Sequence, residues 1–227
     1  NVKVETVEFD FDFFGSGVTG DTDRIIGSAA DDMVSLQRIQ GGERGLFVDL
    51  KKGDDKLYIN GALSNWEAVT IKTGAGDDSV FAPSATVGAR ISTGAGNAYV
   101  LTSGLYADNI NLGKGNDTVR VELGTFQEAA DVIRTGKGRD ALFVEISNFT
   151  TLARVADFSA KKDRVFLDAK NEDRFFIDDG PVNPDFGRYL IMDNAAGALL
   201  WGDNVLLAFG GPPELTTANF AFSEASF

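Results

Sequence analysis

The sequence contains no cysteine and no histidine among its 227 residues. Their absence excludes disulfide bonds, Cys/His zinc sites, a histidine general base and catalysis by Ser-His-Asp or Cys-His arrangements. No apolar run approaches the roughly 20 residues that a membrane-spanning helix needs, so we expect no transmembrane segment. The patterns H-E-x-x-H and G-x-S-x-G are also missing. We therefore predict no catalytic residue, no organic cofactor and no enzymatic activity in this chain.

Basic residues are few compared with acidic ones. Lysine and arginine number 21 against 34 aspartates and glutamates, which gives a net charge of -13 at pH 7. Such a surface repels the phosphate backbone, so nucleic acid is not an expected partner and cations are the natural ones. Hydrophobic residues make up 43% of the chain, which is enough to bury a core.

A repeat of the form I-x-x-G-x-G-x-D-x-U-x, where U is aliphatic, runs through the middle of the chain. Its intact copies are IKTGAGDDSVFA, INLGKGNDTVRV and IRTGKGRDALFV. The copy ISTGAGNAYVLT has Ala98 in place of the aspartate, and VDLKKGDDKLYI has Lys51 in place of the first glycine. Worn copies surround Asp32 and Asp163. The aspartate positions of the repeat are 32, 55, 78, 98, 117, 140 and 163. Their successive spacings are 23, 23, 20, 19, 23 and 23 residues.

Aliphatic residues form columns in the same alignment. The column seven residues before the aspartate position holds Ile25, Val48, Ile71, Ile91, Ile110 and Ile133, with Ala156 as the exception. The column two residues after it holds Val34, Leu57, Val80, Val100, Val119, Leu142 and Val165. One such unit cannot bury its aliphatic side chains alone, whereas stacked units bury each column as a ladder. The pattern predicts an all-β fold: a parallel β-roll or β-solenoid of about seven coils.

The repeat divides the chain into three regions. Residues 20–168 form the predicted roll. Residues 1–19 alternate polar and apolar residues and are interpreted as an N-terminal capping strand. Residues 169–227 contain short strand-like runs separated by Asn, Asp and Gly, which predicts a small C-terminal β cap.

The column of aspartates predicts bound cations. Carboxylates stacked at the strand spacing of roughly 4.8 Å repel one another, and a hard cation between successive turns removes the repulsion. Calcium takes six to eight oxygen ligands, and a glycine turn with one aspartate offers both carboxylate and main-chain oxygens. The best predicted site lies between the turns of Asp117 and Asp140, followed by the turns of Asp55 and Asp78, and then by those of Asp140 and Asp163. The glycines assigned to these sites are Gly53, Gly74, Gly76, Gly113, Gly115, Gly136 and Gly138.

A metal-free solenoid is the alternative interpretation, in which Lys114, Lys137 and Arg139 offset part of the aspartate charge. If calcium binds, Ala98 removes a carboxylate from two neighbouring inter-turn sites.

The intact copies resemble the RTX family, the hemolysin-type calcium-binding repeats with the consensus GGxGxDxUx. The resemblance implies a parallel β-roll with calcium held between turns by aspartates and main-chain carbonyls. The segments ADFSAKKDRVFLD, Tyr189–Asp193, Gly197–Leu200 and Leu215–Phe220 are similar to the C-terminal region of secreted RTX proteins. That similarity implies a signal for type I secretion. The chain departs from the family in its period of 19–23 residues and in having calcium-type turns on one edge only.

The resemblance implies a secreted bacterial protein, extracellular or on the cell surface. We expect a module that folds on binding calcium outside the cell and serves in secretion and folding or in surface interaction. Its expected partners are calcium ions and the type I secretion machinery, with a cell surface or a polysaccharide as a further candidate. The alternative is the tail of a secreted enzyme, or a solenoid-type enzyme, acting on polysaccharide or protein with catalysis mostly upstream of residue 1.

Overall fold

The computed structural model describes the chain in twelve segments, to which the structural statements below refer. They are residues 5–10, 22–37, 44–59, 66–85, 88–104, 108–123, 131–145, 153–168, 175–178, 190–201, 204–210 and 215–222. Within these segments, no helix is long and apolar enough to cross a membrane.

The described elements are β-strands and one short 3₁₀ turn at Thr217–Asn219. The strands are β1 (Glu5–Asp10), β2 (Thr22–Ile26), β3 (Asp32–Gln37), β4 (Arg44–Asp49), β5 (Lys56–Ile59), β6 (Trp66–Lys72), β7 (Ser79–Ala85), β8 (Ala89–Ser92), β9 (Tyr99–Gly104), β10 (Asn109–Asn111), β11 (Thr118–Leu123), β12 (Asp131–Arg134), β13 (Ala141–Glu145), β14 (Ala153–Val155), β15 (Arg164–Asp168), β16 (Phe175–Asp178), β17 (Leu190–Asp193), β18 (Ala198–Trp201), β19 (Asn204–Phe209) and β20 (Phe220–Phe222).

The strands wind into a parallel β-solenoid, as the repeat predicts. From β2 to β15 they alternate between two sheets, so that each repeat unit contributes one strand to each sheet. The nine-stranded sheet has the order β1-β3-β5-β7-β9-β11-β13-β15-β20, and all of its pairings are parallel. The eleven-stranded sheet has the order β16-β17-β18-β19-β14-β12-β10-β8-β6-β4-β2.

The aliphatic columns form the core between the sheets. In the nine-stranded sheet Val34 is in register with Leu57, Leu57 with Val80, and the ladder continues to Val165. These side chains are at most 3% exposed. Because strand side chains alternate between faces, the intervening residues lie outside the core.

The second column corrects the sequence alignment at one position. Ile133 is in register with Val155, which is fully buried, whereas Ala156 follows the strand. The ladder therefore contains an aliphatic residue in this coil as well, and the exception predicted at Ala156 does not occur. In the structure the core residue of this coil thus stands one position further from Asp163 than the alignment places it.

Strands from both termini extend the stack. β1, predicted as an N-terminal cap, pairs with β3 at the edge of the nine-stranded sheet. At the other end β19 pairs in parallel with β14, and β20 pairs in parallel with β15. β18 is antiparallel to both of its neighbours, β17 and β19. The predicted C-terminal cap thus includes a further solenoid-like layer. The Asn219 side-chain amide joins this layer to the preceding coil by donating a hydrogen bond to the Ala160 carbonyl at 2.6 Å.

Candidate functional site

The glycine turns stack directly on one another along one edge of the solenoid. Parallel bridges join the middle residues of consecutive turns: Lys52, Ala75, Ala95, Lys114 and Lys137. The Gly96 N–H, for example, donates to the Lys114 carbonyl at 2.8 Å, and the Lys114 N–H donates to the Gly94 carbonyl at 2.9 Å. Main-chain hydrogen bonds therefore connect these turns as they connect the strands.

The turn glycines have positive φ angles, a backbone conformation that favours glycine over other residues. The seven glycines assigned from the sequence all have φ between +88° and +155°. A Cβ on Gly115 would also lie 1.9 Å from the Gly96 carbonyl oxygen. Lys51, at a position where intact repeats have glycine, has φ of +79°, a conformation that costs a side-chain-bearing residue roughly 1–2 kcal/mol.

The repeat aspartates form a buried column behind these turns. Each of the six is at most 9% exposed. Five of these carboxylates accept a main-chain N–H of the preceding coil: the N–H of Asp32 donates to Oδ1 of Asp55 at 2.8 Å, and the N–H of Asp140 donates to Oδ1 of Asp163 at 3.1 Å. The remaining bonds of this ladder run from Asp55 to Asp78, from Ala98 to Asp117 and from Asp117 to Asp140. One carboxylate oxygen of each acceptor is thus engaged by the fold.

The second carboxylate oxygen separates these aspartates into two groups. Oδ2 of Asp55, Asp117 and Asp140 is buried and has no hydrogen-bond partner in the part of the chain that the structure describes. Oδ2 of Asp78 instead accepts the Thr73 hydroxyl at 2.5 Å. Asp32 and Asp163 are partnered as well, through the main-chain N–H groups of Ser28 at 2.6 Å and Ser159 at 2.7 Å.

The unpartnered carboxylates have strongly raised pKa values. Burial raises the pKa of Asp55 to about 7, and the negative charges of Asp78, Asp32 and Asp31 add to the effect. Burial likewise raises the pKa of Asp117 and of Asp140 to about 6. A hydrogen bond from the preceding coil lowers each of these pKa values without cancelling the cost of removing the charge from water.

The three predicted pairs of aspartates differ in how many of their carboxylate oxygens are left without a hydrogen bond among the described residues. The first-ranked pair, Asp117 and Asp140, lies in consecutive turns with one unpartnered oxygen on each residue. In the second-ranked pair Asp55 has such an oxygen, whereas Asp78 uses its own to bind Thr73. In the third-ranked pair both oxygens of Asp163 are occupied.

A second, exposed ladder runs along the same turns and was not predicted. In these turns the Asp or Asn side chain just before the buried position accepts the main-chain N–H of its counterpart in the next coil: the N–H of Asp54 donates to Oδ1 of Asp31 at 2.8 Å, and the N–H of Asp77 donates to Oδ1 of Asp54 at 2.7 Å. Asn97, Asn116 and Arg139 continue it as donors at 2.6–3.0 Å. The sequence signal was present, since Asp or Asn fills this position in five consecutive repeats.

Sequence reasoning also missed buried carboxylates at the opposite edge. Asp108 and Asp131 are 3% and 4% exposed. Asp131 accepts the Asp108 N–H at 2.8 Å, and Asp108 accepts the Ala89 N–H at 2.7 Å and the Thr102 hydroxyl. Both aspartates precede an isoleucine of the core column by two residues, and the alternation of strand side chains places them inward.

The donor atoms of the turns fit a hard cation. Calcium prefers carboxylate and carbonyl oxygens, and a buried oxygen without a partner gains most from such an ion. Among the described residues no three acidic side chains lie close enough together to hold one ion. An ion at a turn would therefore use one or two free carboxylate oxygens and complete its shell with main-chain carbonyls and water.

Comparison with known proteins returned no match to a family model, to a curated protein or to a solved structure. The likeness to calcium-binding repeats therefore rests on the motif and turns of this chain alone.

Proposed function

We propose that this chain is a calcium-binding β-solenoid module without catalytic activity of its own. The observation that supports it best is the pair of unpartnered carboxylate oxygens on Asp117 and Asp140, which are buried in consecutive turns. A buried charged oxygen without a hydrogen bond is costly, so in the native protein it needs either a proton or a cation. Calcium is the cation that suits this position, because it binds carboxylate and main-chain carbonyl oxygens and a glycine turn offers both.

The overall charge supports a link between ion binding and folding. The chain has a net charge of -13, and compaction brings six repeat aspartates into one column. Self-repulsion opposes this compaction until cations bind, and binding to the folded state alone then adds its free energy to stability. Asp55, Asp117 and Asp140 are the residues that we assign as carboxylate ligands, aided by turn carbonyls.

We infer a secreted bacterial module that stays unfolded where calcium is scarce and folds where calcium is abundant, outside the cell. Export by type I machinery and a role in secretion, folding or surface contact are parts of this proposal that rest on the resemblance of the repeat motif to RTX proteins.

The experiment is thermal unfolding followed by circular dichroism, in EGTA and in millimolar calcium. Isothermal titration calorimetry in the same buffer gives the stoichiometry, and magnesium at equal concentration is the control. We expect a higher melting temperature in calcium than in either control, because magnesium demands octahedral geometry and keeps its waters. Indistinguishable melting curves with no heat of binding would overturn the proposal and leave a metal-free solenoid.

A further inference from the structure

The residue five positions before each buried aspartate differs from coil to coil. In the coil of Asp78 this residue is Thr73, whose hydroxyl occupies Oδ2 of the aspartate. In the coils of Asp55 and Asp117 it is a leucine, Leu50 or Leu112. Both leucines are fully buried, and a hydrocarbon side chain has no hydrogen-bond donor to offer.

The free oxygens follow this difference. Oδ2 is unpartnered within the described residues in the two leucine coils and partnered in the coil of Thr73. All three aspartates are at most 1% exposed, so burial does not distinguish them. Each also accepts one main-chain N–H at Oδ1, at 2.8–3.0 Å. The residue five positions earlier is therefore the local feature that separates them.

In the coil of Asp140 the second carboxylate oxygen is also unpartnered within the described residues, but for a different reason. Thr135 stands five positions before it, but the Thr135 hydroxyl lies 3.3 Å from Oδ1 of Asp157 and 3.3 Å from Oδ2 of Asp163. The main-chain N–H of Thr135 also donates to Asp157, at 2.8 Å. With its hydroxyl turned toward these two residues, Thr135 makes no hydrogen bond to Oδ2 of Asp140, which has no partner among the described segments.

We propose that, in the coils of Asp55, Asp78, Asp117 and Asp140, the side chain five positions before the buried aspartate selects which turns bind calcium. A leucine, or a threonine directed elsewhere, leaves an oxygen free for the ion at Asp55, Asp117 and Asp140, whereas the Thr73 hydroxyl closes Asp78 to it. This selection rests on the proposed calcium binding and adds to it the identity of the competent turns. Asp78 is then a structural residue although its repeat, with both glycines, is intact.

The physical basis is competition for one lone-pair region. An ion that approaches Oδ2 of Asp78 must first break a short hydrogen bond between a hydroxyl and a carboxylate. Hydrogen bonds to charged groups are stronger than neutral ones, and the buried Thr73 hydroxyl would be left with the weaker contact to the Thr93 carbonyl at 3.3 Å. At Asp117 the same approach breaks no hydrogen bond from any residue that the structure describes.

The test exchanges the two kinds of residue. Thr73→Val removes the hydroxyl at nearly constant volume and frees Oδ2 of Asp78. Leu112→Thr introduces a hydroxyl before Asp117, and Leu112→Val is its control because valine has the shape of threonine without the donor. Calcium titration calorimetry on the four proteins gives stoichiometry and affinity, and circular dichroism verifies that each variant is folded.

We expect Thr73→Val to bind one more calcium ion than the parent chain. Leu112→Thr should lose a site, or bind about tenfold more weakly or worse than Leu112→Val, since a hydrogen bond to a charged group acts on that scale. If Leu112→Thr does not fold, Thr73→Val decides the matter alone.

Two negative results are distinguishable. Calcium binding by the parent chain with unchanged stoichiometry and affinity in Thr73→Val and in Leu112→Thr overturns the selection rule and leaves the proposed function intact. A parent chain that binds no calcium overturns both.

Discussion

The main-chain N–H of Asp117 donates a 2.9 Å hydrogen bond to Oδ1 of Asp140, 23 residues further along the chain. The bond joins two neighbouring coils through a side chain, beside the main-chain ladder of the strands. A buried N–H must have an acceptor, and here a carboxylate provides it. The repeat aspartates thus have a structural role that is separate from any ion they bind.

Replacement of Asp140 separates the two roles. In EGTA, Asp140→Ala removes the acceptor of the Asp117 N–H, and we expect a loss of about 1–3 kcal/mol in the free energy of unfolding. Asp140→Asn retains an acceptor oxygen and should cost clearly less, while both variants lose calcium affinity. Urea unfolding with and without calcium measures these quantities.

Asp32→Ala is the matched control for this series. Within the described segments the Asp32 carboxylate accepts hydrogen bonds from the N–H and hydroxyl of Ser28, four residues away, and not from another coil. The substitution should therefore cost less than Asp140→Ala. Equal losses for Asp140→Ala and Asp140→Asn in EGTA would show that the coil-to-coil hydrogen bond contributes nothing.

The stability of the metal-free protein should fall as the pH rises. Folding raises the pKa of Asp55 from an ordinary value of 3.8 to about 7, and that of Asp117 and Asp140 to about 6. The folded state therefore holds protons that the unfolded state has released. Their stabilising effect is complete below pH 3.8 and is lost progressively as the pH rises to about 7.

Each pKa unit corresponds to about 1.4 kcal/mol, so in EGTA we expect a clearly higher melting temperature at pH 5 than at pH 8. Saturating calcium should reduce or reverse this difference, because the ion replaces the proton. A melting temperature in EGTA that is equal at the two pH values, or higher at pH 8, would contradict the burial of unpartnered carboxylates.

Ala98→Asp tests the selection rule in the coil that lacks an aspartate. The new carboxylate would be well placed to accept the Asp78 N–H, as Asp117 accepts that of Ala98. Thr93 stands five positions before it, and its hydroxyl, which now donates to the Leu112 carbonyl at 2.7 Å, would pair with the carboxylate as Thr73 pairs with Asp78. We expect unchanged calcium stoichiometry in Ala98→Asp and one additional ion in the double variant Thr93→Val/Ala98→Asp.

Calorimetry on these two variants measures the difference. Binding of an extra ion by Ala98→Asp alone would mean that a threonine hydroxyl does not block a turn.

Lys51→Gly should stabilise the protein with or without calcium. Lys51 has a left-handed backbone at φ +79°, and glycine adopts it without the penalty, which predicts a gain of about 1 kcal/mol. The exposed pair of Lys51 with Asp49 offsets little of this gain. Lys52→Gly, one residue further along, is the control and should destabilise by roughly 0.5–1 kcal/mol. Urea unfolding ranks the two, and a destabilised Lys51→Gly would contradict the prediction.

The fold was predictable because its signals are local and periodic. A column such as Ile25 to Ile133 recurs at one position of each repeat, so the sequence alone indicates parallel strands stacked in register. The alignment was wrong at Ala156, where glycines no longer mark the turn, and the strand pairing selected Val155 instead. The extension of the stack by β19 and β20 was not predictable, because no repeat motif accompanies these strands.

By itself the sequence determined the solenoid, the edge that holds the glycine turns and the column of aspartates at Asp55, Asp78, Asp117, Asp140 and Asp163. Only the tertiary structure decided which carboxylate oxygens are engaged, because their partners come from other coils or from residues turned inward. The N–H that binds Asp140 belongs to Asp117, and the hydroxyl of Thr135 is drawn to Asp157 and Asp163. A repeat motif specifies the residue at each position, whereas the state of a buried oxygen depends on atoms that stacking brings within hydrogen-bond distance.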